Sequence, residues 1–169
     1  MEALQNFYAV ATGLSFTLLG LWWVVVALHL DVWMNDPGLR RLARNVSQYF
    51  VVPGLMSLVS LIAVSETVLW RFGFGVGALL GLVESMRAAT GRSRAISLSG
   101  APRAVAVVAA VMYLIAGALA VDPTLPAAAG VDLSALEVEA LLVALLLFLG
   151  VNVVWTFFAH PPGKATTGG

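Results

Sequence analysis

The chain has 169 residues, 60% of them hydrophobic and only 11% charged, with nine Lys+Arg balancing nine Asp+Glu and a mean hydropathy of +0.95. A soluble domain is typically about 45–50% apolar and about 25% charged, so this composition points into a bilayer. The absence of cysteine excludes disulfides, thiolate metal sites and Cys nucleophiles, and zero net charge gives no sign of a nucleic-acid partner.

Phe7–Leu30 is the first apolar run. It is longer than the roughly 7–15-residue core of a cleaved signal and lacks a basic flank, so it reads as a retained transmembrane helix. Trp33 follows as an interfacial anchor, and Asn35-Asp36-Pro37-Gly38 is a turn signal. The basic segment Leu39–Arg44 is expected to lie at the membrane surface.

Residues 50–86 are apolar except for Glu66, Arg71 and Glu84, and are too long for one span. The expected division is a helix over 50–64 and another over 72–86; one span plus a re-entrant half-helix is the alternative. A loop bearing Arg87, Arg92, Arg94 and Arg103 leads to a helix over 104–121, ended by Asp122-Pro123. Ser134-x-x-Glu137 has the form of a capping box opening a last helix over 138–158. His160-Pro161-Pro162-Gly163 ends that helix, and 161–169 reads as a loose tail.

The expected fold is an all-α integral membrane bundle of about five transmembrane helices. Charge selects its orientation. With the N-terminus outside and the C-terminus cytoplasmic, every basic residue but Arg71 falls inside, while Glu2, Glu66, Asp122, Asp132, Glu137 and Glu139 fall outside. The expected location is the cell (plasma or inner) membrane, multi-pass.

Four groupings could carry function. Gly73, Gly77 and Gly81 are spaced by four, so they share one helix face that ends at Glu84. Small residues at this spacing admit close helix approach. That face is either a pore or oligomer seam with an acidic mouth, or a tight internal contact with Glu84 paired to Arg87. Asn152, Thr156 and His160 form a stripe, either a polar lining or interhelical glue. Glu66 and Arg71 flank a turn as an ion pair or an outer gate. His29, Asp31, Glu84 and His160 lie at one membrane depth and could bind a metal or relay protons, although none has ligand spacing. Small residues also mark the first helix at Gly13, Thr17 and Gly20.

Arg40, Arg41, Arg44, Arg87, Arg92 and Arg94 could meet anionic lipid headgroups. No catalytic or cofactor motif is present, so an enzyme is not expected. The leading expectation is a homo-oligomeric membrane channel or small-solute transporter. The alternative is a non-conducting accessory or assembly subunit of a larger membrane complex.

Overall fold

The computed structural model describes residues 2–63, 67–90 and 101–159. Glu66, Arg92, Arg94 and His160 therefore lie outside the described residues, as does the tail over 161–169. The described residues form helices α1 (Glu2–Leu28), α2 (Leu30–Asn35), α3 (Pro37–Ile62), α4 (Thr67–Ala89), α5 (Ala101–Val121), α6 (Leu125–Ala128) and α7 (Ala135–Ala159). Five of them, α1, α3, α4, α5 and α7, are long and apolar enough to cross a membrane.

The element boundaries differ from the sequence expectation at three places, each for a local reason. The first helix breaks at His29, whose backbone is non-helical, and the short α2 carries on to Asn35. The Asn-Asp-Pro-Gly signal is a turn that also starts a helix. The Asp36 carboxylate accepts from the Gly38 and Leu39 amides at 2.6 and 3.3 Å, and Pro37 occupies the first turn, where its missing N–H costs nothing. The segment Leu39–Arg44 is thus the opening of a 26-residue span and not a separate surface piece. The second span ends at Ile62 and α4 begins at Thr67, so Arg71 is inside a helix. Both spans are full length, which removes the re-entrant alternative.

The capping box forms as expected: Ser134 N–H donates to Glu137 Oε2 at 2.7 Å, and Glu137 N–H donates to Ser134 Oγ at 3.3 Å. Helix α3 is the most buried span and packs on α1, α4 and α7; α5 joins α4 to α7, and α1 closes on α7. At the α1–α3 crossing the fully buried Ser15 lies where a Cβ on Gly54 would stand, 2.8 Å away. The Trp22 indole donates to the Ala43 carbonyl at 3.0 Å and stacks edge-on against Trp33, tying α1 and α2 to the start of α3. Between the bundle's two ends the interior is packed with Phe50, Met56, Phe74, Val143 and Leu146.

Candidate functional site

One end of the bundle gathers the start of α1, the end of α3 and the starts of α4 and α7. Glu139 stands just over one turn into α7. Glu137, two residues earlier, turns back to cap the helix, whereas Glu139 falls on the inward face and is fully buried. Neither of its carboxyl oxygens has a hydrogen-bond partner. The Trp70 indole from α4 lies near the carboxyl group, with its N–H buried and unpaired. From α1, Tyr8 lies near both Glu139 and Ser60 of α3. Its hydroxyl donates to the Leu136 carbonyl at 2.9 Å. The Ser60 and Ser57 hydroxyls are buried and unpaired.

Four helices thus converge on one acid with a polar shell that leaves it uncompensated. An ionised carboxylate in so apolar a place costs several kcal/mol unless a counter-charge or a proton joins it. Ionisable groups held inside a membrane bundle mark ion or proton paths more often than they serve packing. In sequence, Glu139 stands among the carboxylates expected outside, with Asp122, Asp132 and Glu137. The available signal was an acid inside the last apolar run.

The other candidates have structural partners. A Cβ on Gly73 would stand 2.2 Å from Val59 Cγ1, on Gly77 2.6 Å from Met56 Cγ, and on Gly81 2.4 Å from Tyr113 Cε1 and Cζ. The three glycines therefore seat side chains of α3 and α5 of the same chain, and are not free to form a seam between protomers. Arg44 Nη2 and Arg87 Nη1 both donate to Glu84 Oε1, at 3.0 and 2.9 Å. Glu84 is a clasp between α3 and α4 in place of an open acidic mouth.

The expected polar stripe turns onto its own helix: Asn152 donates to the Phe148 carbonyl and Thr156 to the Val153 carbonyl, both at 2.8 Å. Arg71 donates from Nε to the Ala120 carbonyl at 2.8 Å and from Nη2 to the Val121 carbonyl. It closes the end of α5, a role that the charge pairing with Glu66 did not anticipate. Among the described residues no three His, Asp or Glu side chains gather as a metal site, so His29, Asp31 and Glu84 do not form one.

A small cleft of about 20 Å³, lined by Asn45, Gln48, Tyr49, Glu84, Ser85 and Tyr113 among others, lies beside the clasp. That is room for about one water.

No protein-family model, curated protein or solved structure matches the chain.

Proposed function

We propose that this chain is a membrane transport protein in which Glu139 takes up and releases a proton as the coupling step for an ion or small solute. The observation that carries this reading is the fully buried Glu139 carboxyl, unpartnered at the meeting point of four helices. With the N-terminus outside, the site lies toward the exterior end of the bundle. The apolar layer of Phe50, Met56, Phe74, Val143 and Leu146 is then the barrier that separates it from the cytoplasmic end. Such a layer suits a carrier that changes conformation better than a standing pore. If protomers associate, the face available is on α1, where Gly13, Thr17 and Gly20 are exposed and the two glycines meet no neighbour.

The apolar packing of the interior also favours a second reading, a non-conducting accessory subunit of a larger membrane complex. The two separate in proteoliposomes with a trapped pH dye and an imposed potassium diffusion potential. The transport reading expects proton flux by the wild type, loss of it in Glu139→Gln, and partial retention in Glu139→Asp. Flux equal in wild type and Glu139→Gln would refute the role of Glu139. No flux from folded wild type would move the assignment to the accessory subunit.

A further inference from the structure

The opposite end of the bundle carries a concentration of guanidinium groups that the Glu139 site does not use. Because Asp36 and Pro37 start α3 where they do, Arg40, Arg41 and Arg44 stand in the first two turns of a span, in fixed register. Arg40 and Arg44 share a face, and Arg41 lies one residue round it. Pro37 and these three arginines line an open groove of about 330 Å³. Arg44 is linked through Glu84 to Arg87 on α4. Arg44 and Arg87 share the Glu84 carboxylate, Asp36 is occupied in capping α3, and both Arg44 and Arg87 keep about two thirds of their side-chain surface exposed.

We propose that this groove holds the phosphate of an anionic phospholipid. Three observations select that occupant. The first is depth. From Arg40 to Ile62 a helix rises about 33 Å, close to the roughly 30 Å of a hydrocarbon core. With Ile62 at one boundary, the arginines stand among the headgroups at the other.

The second is the neighbouring surface. Helix α2 packs against α3, and its Leu30, Val32 and Met34 are each more than half exposed. A groove walled by arginine stems and bordered by an apolar shoulder fits an amphiphile better than a soluble anion. The third is chemistry. Guanidinium forks bind phosphate oxygens in pairs. The amide donors that open α3 are already taken by Asp36, so the arginine side chains, and not the helix end, supply the recognition.

The test is native mass spectrometry on the delipidated full chain in detergent, titrated with dioleoylphosphatidylglycerol or dioleoylphosphatidylcholine. The wild type is expected to retain the glycerol lipid preferentially, with retention falling as salt rises. Each arginine removed should weaken it by about fivefold. Arg40→Gln alone, which breaks no ion pair, gives one such step. Arg40→Gln/Arg41→Gln/Arg44→Gln removes the preference, and Arg103→Gln, on α5, leaves it intact. Glu84→Gln should strengthen retention, because it removes the carboxylate that competes for Arg44 and Arg87; a merely structural clasp would not. Equal retention of the two lipids by wild type would overturn the proposal, as would unchanged retention in Arg40→Gln together with the folded triple variant. Displacement by millimolar inorganic phosphate without lipid preference would assign the groove to a soluble anion and overturn it as well.

Discussion

Substituting Gly81 separates a glycine face packed inside the chain from one shared between chains. In Gly81→Ala the new Cβ would stand 2.4 Å from Tyr113 Cε1 and Cζ and 2.6 Å from Cδ1. Tyr113 is only 3% exposed, so its rigid ring has little room to retreat. Overpacking of this kind costs roughly 1–3 kcal/mol. The gain in helix propensity from Gly to Ala offsets up to about 1 kcal/mol, leaving a net loss of up to roughly 2 kcal/mol.

Gly75→Ala, on the same helix, would place its Cβ an ordinary 3.9 Å from Ala120; it should be neutral or stabilising by up to about 1 kcal/mol. The assay is reversible unfolding in mixed micelles by SDS titration, followed by far-ultraviolet circular dichroism, with the mass of the solubilised particle measured by light scattering. Gly81→Ala should unfold earlier than wild type and Gly75→Ala should not, with the mass unchanged in both. Adding Tyr113→Leu to Gly81→Ala should recover stability beyond the sum of the single effects, the non-additivity expected of residues in contact. If Gly81→Ala unfolds like wild type while the mass falls to that of a smaller oligomer, the internal-packing argument is wrong.

Three further outcomes are expected. Glu139→Met should raise the unfolding midpoint by the equivalent of about 1–3 kcal/mol, because it replaces an unsatisfied buried carboxyl by an apolar side chain; a lowered midpoint would mean that the acid makes a stabilising bond. Arg71→Ala should destabilise by about 1–2 kcal/mol through loss of the bonds to the Ala120 and Val121 carbonyls, and Arg71→Lys should recover only part, since a lysine lacks the fork. Full recovery by Lys would show that charge alone matters. The Asp122 carboxylate accepts from Thr124 Oγ1 at 2.6 Å and Thr124 N–H at 3.0 Å, which holds its pKa below the ordinary 3.8. A carboxyl depressed by folding stabilises above its unfolded pKa and loses that contribution as pH falls through the lowered value. Protection of the Thr124 amide from exchange should therefore persist at pH 4 and fail only at more acidic pH. Loss between pH 6 and 5 would contradict the assignment.

The five spans were legible because hydropathy over some twenty residues is a strong signal. Their ends were less so. Asn35-Asp36-Pro37-Gly38 reads equally as a loop and as an N-cap followed by proline, and only the side-chain bonds of Asp36 decide between them. Arg40, Arg41, Arg44, Asn45 and Gln48 then lowered the apparent hydropathy of α3's first half, which delayed its expected start to residue 50. Glycine spacing identified a close-packing face on α4 but not its occupants. Val59, Met56 and Tyr113 come from two other helices, and periodicity within one helix carries no information about which neighbour arrives.

Glu139 was harder to read for a different reason. An acid near the start of a helix is favoured by the macrodipole and by capping, so Glu137 and Glu139 look alike in sequence. Two residues along a helix is a rotation of about 200°, enough to send one to the cap and the other into the interior. Its surroundings then bear on what it binds. Trp70 offers only an N–H donor, and the Tyr8 hydroxyl is committed to the Leu136 carbonyl. The Ser60 hydroxyl remains. A hard metal cation asks for six or more oxygen ligands, whereas a proton needs a single oxygen, so the residues gathered around Glu139 suit a proton better than a cation.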